Sequence, residues 1–266
     1  MLGSIAGDII GSVYESCPIK TMDFALFEPG CVFTDDTVMT VATAWAILNR
    51  VGYAEAYKNF GRRYPGRGYG ETFGRWLMSD SMPAYNSWGN GSAMRVSPVG
   101  FACQTMDAVL DQARQTAEVT HNHPEGIKGA QAVALSVFLA RQSNDKAVIK
   151  REIASRFGYD LNRTIDQIRP AYGFDVSCQG TVPEAIVAFL ESDDFEHAVR
   201  LAVSLGADSD TLACITGGIA EAYYKTIPEW IAEQTRRRLP QEFLNIIEQF
   251  RELFFNESDN DKDPEV

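Results

Sequence analysis

Two short acidic clusters hold the side chains best suited to chemistry: Thr34-Asp35-Asp36-Thr37 and Asp208-Ser209-Asp210-Thr211. Each stands immediately before a long apolar, helix-like run, so each offers two carboxylates and a hydroxyl at the first turn of a helix. Thr, Ser and Asp are also the preferred helix caps, and acidic residues in a first turn suit the helix dipole. A cap needs one oxygen, however, whereas polar side chains here come three at a time. Their order is also reversed between the copies, as two helix starts facing one centre would require. Four converging carboxylates cannot share a pocket unpaired. Two divalent cations would neutralise them formally, and all-oxygen donors suit Mg²⁺ or Mn²⁺ rather than zinc or copper.

The elements that must position these groups read as helices. Residues 3–16 carry Gly3, Gly7 and Gly11 at four-residue spacing, a stripe that lets another helix approach closely, with Asp8, Ser12 and Glu15 on a common face. Helical patterns follow at 37–48, 54–60, 72–78, 107–119 and 125–141. Thr181-Val-Pro-Glu184 reads as a capping box opening a helix through Phe189, and 195–205 and 211–224 continue the pattern. Pro228 opens a last helix running to about Phe255. Sustained period-two alternation is absent, so the fold class is all-α, with one domain over residues 1–255. Arg62–Arg95 has weak periodicity but many aromatics, and it is expected to be an ordered loop region over a site, with a short helix inside it.

Composition narrows the function classes. Hydrophobic residues make up 45% and charged residues 23% of 266, ordinary for a soluble globular protein. The formal charge is −12, from 24 basic and 36 acidic residues, which argues against a nucleic-acid-binding face. Residues 256–266 are acidic and nearly devoid of large apolar groups, the composition of a disordered tail. Five scattered cysteines without a Cys-x-x-Cys pair fit reduced thiols. No stretch is long and uncharged enough to span a bilayer, and the apolar N-terminus lacks a basic leader, so a cytosolic protein is expected.

Five segments stand in a characteristic order: Gly7-Asp8-x-x-Gly11-x-x-x-Glu15, Phe33-Thr-Asp-Asp-Thr37, Trp88-Gly-Asn-Gly-Ser-Ala-Met-Arg95, Thr120-His-Asn-His-Pro124 and Ser204-Leu-Gly-Ala-Asp-Ser-Asp-Thr211. This set resembles the ADP-ribosylglycohydrolase family, which includes the dinitrogenase-reductase-activating enzyme and the ADP-ribosyl-arginine and ADP-ribosyl-serine hydrolases. The resemblance runs from Gly3 to about Tyr224. It implies an orthogonal helical bundle that binds two Mg²⁺ or Mn²⁺ ions and releases ADP-ribose from an ADP-ribosylated protein or a small molecule containing ADP-ribose. By position it implies Thr34, Asp35, Asp36, Asp208, Asp210 and Thr211 as metal ligands, and Glu15 as the catalytic glutamate. Ala207 departs from the pattern, since a second glycine commonly precedes the first aspartate there.

Cleavage at ribose C1″ passes through an oxocarbenium-like state. Paired cations can grip the vicinal ribose hydroxyls and lower the pKa of a water, and a nearby carboxylate then moves the proton. Glu15 is the first choice for that role and Asp35 its rival. The diphosphate needs a local partner in an acidic protein. Backbone amides at Gly89, Asn90, Gly91 and Ser92 can cradle it at a helix start. Arg95 pairs either with phosphate or with an internal carboxylate. His121 donates to the diphosphate or ribose, or else braces the loop. Adenine stacks on Trp88 or Tyr85, unless those rings serve packing. Two rival functions share the acidic clusters, a metal-dependent phosphohydrolase and a non-catalytic ADP-ribose binder.

Overall fold

The computed structural model describes residues 1–255, and the acidic segment 256–266 lies outside the described residues. Fifteen helices occur among them and no named strand. The first half holds α1 (Leu2–Ser16), α2 (Asp35–Asn49), α3 (Tyr53–Arg63), α4 (Glu71–Met78), α5 (Gly91–Met94), α6 (Ser97–Ala102), α7 (Met106–Glu118) and α8 (Pro124–Gln142). The second half holds α9 (Lys146–Phe157), α10 (Ile165–Ile168), α11 (Cys178–Glu191), α12 (Phe195–Val203), α13 (Ser209–Tyr224), α14 (Glu229–Arg236) and α15 (Gln241–Phe254).

Helix α13 is the centre, with every residue from Ser209 to Ala220 buried and α1, α8, α11 and α12 packed around it. Its closest neighbour is α1, and the glycine stripe is the reason. A Cβ on Gly3, Gly7 or Gly11 would fall on the carbonyl oxygens of Gly217, Ala213 or Ser209. Bare backbone therefore meets bare backbone, and the residues between those glycines are carried against the first turn of α13. Leu2–Gly11 is buried throughout, including Asp8. Helix α2 is equally apolar, and it packs on α1, α3, α6 and α15.

Two expectations are corrected. Helix α11 starts at Cys178 rather than Thr181, because the Ser177 hydroxyl caps it by accepting from Gly180 N at 3.0 Å. Pro183 then sits inside the helix, and Glu184 pairs with Arg163 instead of reaching back to a cap. The single last helix is two, α14 and α15, because Pro240 offers no N–H and sits as the cap residue of α15. Helix α9 has no counterpart among the sequence patterns above; Asp145 caps it and Gly158, at φ +68°, closes it. Residues 62–95 are ordered as expected, with α4 inside. An isolated antiparallel bridge between Gly89 and Ser177 ties the end of that region to the start of α11.

Candidate metal centre

Asp8 organises the site from below. Its carboxylate is fully buried and accepts from Thr34 N (3.0 Å), the Thr34 hydroxyl (2.6 Å), Thr37 N (3.1 Å) and the Thr37 hydroxyl. Those donors are the first turn of α2, so α1 holds the Thr-Asp-Asp-Thr cluster in place. Thr34 is also the N-cap of α2, its oxygen accepting from Asp36 N at 3.2 Å. Cap and cluster are thus one structure at this end. At the other end Asp208 precedes α13 without using its side chain as a cap, and Asn90 Nδ2 donates to its Oδ2 at 2.6 Å.

The glycine-stripe contact brings the two ends together. Carboxylate oxygens of Asp8, Asp36 and Asp210 lie within 4.8 Å of one another, and so do those of Glu15, Asp208 and Asp210. Asp210 belongs to both triads, as a carboxylate between two cations would. Thr211 Oγ1 stands 3.4 Å from Asp36 Oδ2. Asp36 Oδ1 is buried with no hydrogen-bond partner, a costly state for a carboxylate oxygen unless a cation takes it. No ion pair among the described residues includes Asp8, Glu15, Asp35, Asp36, Asp208 or Asp210. The residues therefore fit divalent cations on both counts: donor chemistry and missing countercharge.

Without cations the charges resist ionisation. Burial raises Asp8 to about 6 against the hydrogen bonds from Thr34 and Thr37. Burial and then neighbouring carboxylates, Asp8 first for Asp35 and Asp36 and Asp36 first for Asp210, hold those three well above the usual range. Glu15 is more exposed, and burial followed by Asp208 and Asp8 raises it too.

Asp35 belongs to neither triad. It is half-buried, its amide donates to Arg67 O at 2.8 Å, and its Oδ1 abuts Gly68, where a Cβ would come within 3.0 Å. Gly68 has φ +100°, so the turn over Asp35 requires glycine there. Asp8 is the clustered carboxylate that the expected ligand set does not include. Its signal was the Gly7-Asp8 pair on the Glu15 face, which did not say how deep the carboxylate would lie. Ser12 shares that face but donates to Ile9 O and stays outside the cluster. Ala207 takes φ +157°, close to extended, while Gly206 at φ +55° is the left-handed position of this loop.

Two of the four backbone amides expected to cradle phosphate at Gly89–Ser92 are spent within the protein. Gly89 N donates to Ser87 Oγ at 3.1 Å and Asn90 N to Val176 O at 2.7 Å, so both amides are committed. Ser92 Oγ is buried and donates to Gly126 O. Arg95 corrects the ion-pair reading: it is 0% exposed, its charge faces the Tyr57 ring, and no carboxylate pairs with it among the described residues. Its hydrogen bonds run to Thr116 O and Thr120 Oγ1. His121 is buried beside Gly91, and burial, then Arg95, lowers its pKa well below the ordinary value. His123 caps α8 through Nδ1. Trp88 is 47% exposed, whereas Tyr85 is half-buried with its ring centroid 6.0 Å from that of His121.

Comparison with known proteins agrees with this geometry. Residues 1–260 match the family model described as ADP-ribosylglycohydrolase. Mouse ADP-ribosylhydrolase ARH3 is 26% identical, the match covering 86% of this chain and 84% of that protein. ADP-ribosylarginine hydrolase Tri1 of Pseudomonas putida is also 26% identical, over 95% of this chain and 79% of its own length. An uncharacterised protein of Archaeoglobus fulgidus reaches 28%, over 87% and 88%. Among solved structures, an ADP-ribosylglycohydrolase-related protein complex superposes with a TM-score of 0.68 at 26% identity, covering 89% of this chain and 95% of that one. An all-helical fold, two facing acidic helix starts and a match across nearly the whole chain make this protein a member of the ADP-ribosylglycohydrolase family.

Proposed function

We propose that this protein hydrolyses the bond between ribose C1″ and a protein side chain, releasing ADP-ribose, with a pair of Mg²⁺ or Mn²⁺ ions. The observation that carries the reading is the pair of carboxylate triads sharing Asp210, with an orphaned Asp36 oxygen and no cationic side chain paired with them among the described residues. Thr34, Asp36, Asp208, Asp210 and Thr211 would hold the ions, with Asp8 behind them and Asp35 at the lip. Bound there, the ions supply Lewis acidity toward the ribose hydroxyls and an attacking water.

The chain's own residues do the rest. Glu15 is the most solvent-accessible of the clustered carboxylates and its pKa is raised, which suits a group that gives and takes a proton at the mouth. Asp35 is its alternative on the facing wall. The amides of Gly91 and Ser92, with His121 beside them, line the place for the diphosphate. Adenine then has Tyr85, near His121, and the exposed Trp88 within the same wall. The five free cysteines support a reducing, cytosolic setting. No described helix is long and apolar enough to cross a membrane.

The test is release of ADP-ribose from arginine- and serine-linked substrates, with and without Mg²⁺, against p-nitrophenyl phosphate under the same conditions. Metal-dependent release of ADP-ribose is expected. Phosphatase activity alone would favour a phosphohydrolase, and ADP-ribose binding without turnover would favour a binding protein.

A further inference from the structure

Arg95 is one of the largest fully buried side chains, yet no carboxylate pairs with it among the described residues. Its guanidinium lies 4.4 Å from the Tyr57 ring centroid. One terminal nitrogen donates to Thr116 O at 2.7 Å and to Thr120 Oγ1 at 3.0 Å. Thr120 is also fully buried, and its hydroxyl oxygen stands 2.7 Å from His121 Nδ1.

The protons in this chain have one consistent arrangement. A guanidinium has five N–H groups and no acceptor, so the Thr120 oxygen must accept from Arg95. A buried hydroxyl proton needs an acceptor, and the His121 Nδ1 lone pair is the one in reach of Thr120 among the described contacts. A ring nitrogen that accepts carries no proton, so neutral His121 holds its proton on Nε2. That nitrogen faces the phosphate-cradle turn: a Cβ on Gly91 would lie 3.1 Å from it and one on Gly89 3.6 Å. No described side chain or backbone oxygen accepts from Nε2. His121 is 5% exposed, so its one unspent donor opens on the site rather than on bulk solvent.

We propose that Arg95 and Thr120 are positioning residues that fix His121 as a neutral Nε2–H donor, aimed past Gly91 at an acceptor oxygen of the substrate's diphosphate or ribose. The substrate half of this rests on the ADP-ribose reading above; the tautomer half does not. The arrangement also gives the buried Arg95 a task. Its guanidinium donates to the Thr120 oxygen from one side, which leaves the hydroxyl proton to point at Nδ1, the one acceptor in its reach among the described contacts. Burial, and then the same positive charge, disfavours a second proton on the ring. His121 thereby directs a hydrogen bond from a neutral ring.

Nitrogen-15 NMR of histidine-labelled protein at pH 7 reads the tautomer directly, with the His121 signals identified by their loss in His121→Asn. The wild type is expected to show Nε2–H at His121. Thr120→Val keeps the side-chain shape and removes the hydroxyl. It should move His121 to a tautomer mixture and weaken ADP-ribose binding on the order of tenfold, the size of one lost hydrogen bond to a charged group. Divalent-cation stoichiometry should stay as in wild type, and Thr120→Ser should restore both tautomer and affinity. Nδ1–H in the wild type would overturn the relay, and it needs no variant that folds. A shifted tautomer with unchanged ADP-ribose affinity would overturn the substrate contact. Failure of the wild type to bind ADP-ribose at all would overturn the functional reading and the substrate half with it, leaving the tautomer result to judge the relay.

Discussion

The Thr34 hydroxyl donates to Asp8 Oδ1 at 2.6 Å, so a carboxylate from the first helix fixes the cap residue of the second. Because Asp8 also takes Thr34 N, Thr37 N and the Thr37 hydroxyl, it anchors the acidic turn as well as belonging to it. Asp8→Asn puts an amide donor where four donors already point. We expect a loss of about 1–3 kcal/mol in urea unfolding of the metal-free protein, together with weaker Mg²⁺ binding. Unaltered unfolding and unaltered titration heats would show that the anchor is dispensable.

Asp210→Ala removes the carboxylate common to both triads. The expectation is loss of at least one ion and of most activity. Isothermal titration with unchanged Mg²⁺ or Mn²⁺ stoichiometry would falsify the shared-ligand arrangement.

Metal-free protein should lose stability as pH rises. Asp8 is held at about 6 in the fold against an ordinary 3.8, and Asp35, Asp36 and Asp210 are raised in the same direction. Between those values the folded state binds more protons than the unfolded, so stability falls with increasing pH. The melting temperature in chelator should therefore decline from pH 4.5 to pH 7. Saturating Mg²⁺ should reverse the slope, because cations bind the ionised form. A chelated protein with its highest melting temperature at pH 7 would contradict the assigned burial of these groups.

Glu15→Gln should leave the melting temperature of the metal-loaded protein little changed and lower turnover on the order of 10²-fold. Its carboxylate also lies with those of Asp208 and Asp210, so easing that repulsion should slightly stabilise the metal-free form. Near-normal turnover would transfer the proton-moving role to Asp35.

Substitution at Gly91 tests the cradle, with a complication from the structure. Any Cβ there meets His121 Nε2 at 3.1 Å, so a bulky residue displaces the imidazole as well as the ligand. Gly91→Ala is the gentler probe. It should weaken ADP-ribose affinity while the cations bind as before, and equal loss of both would indicate a general collapse of the site.

Much of this site is legible in the order of residues. The Gly3-Gly7-Gly11 spacing foretells a backbone-close partner helix, and the reversed acidic clusters foretell that their ends meet. What the sequence does not give is depth. Asp8, Ser12 and Glu15 share one helical face, yet Asp8 is buried under α2, Ser12 turns back on its own helix and Glu15 reaches the mouth. Local patterns also compete: Thr181 fits a capping box, but Ser177 caps earlier and leaves Thr181 to accept from Asn90. The charge of Arg95 suggests a partner of opposite sign, and nothing in its neighbours along the chain announces a fully buried guanidinium.

The contact of α1 with α13 has a kinetic consequence. Gly7 and Ala213 touch through bare backbone, yet about two hundred residues separate them along the chain. Contacts of such long range are slow to close. During synthesis α1 emerges well before α13 and must wait, its apolar face uncovered, for that partner. Until that partner docks, neither carboxylate triad exists. Cations bound only by the assembled acidic pocket would therefore select the closed chain and draw the fold toward completion by mass action.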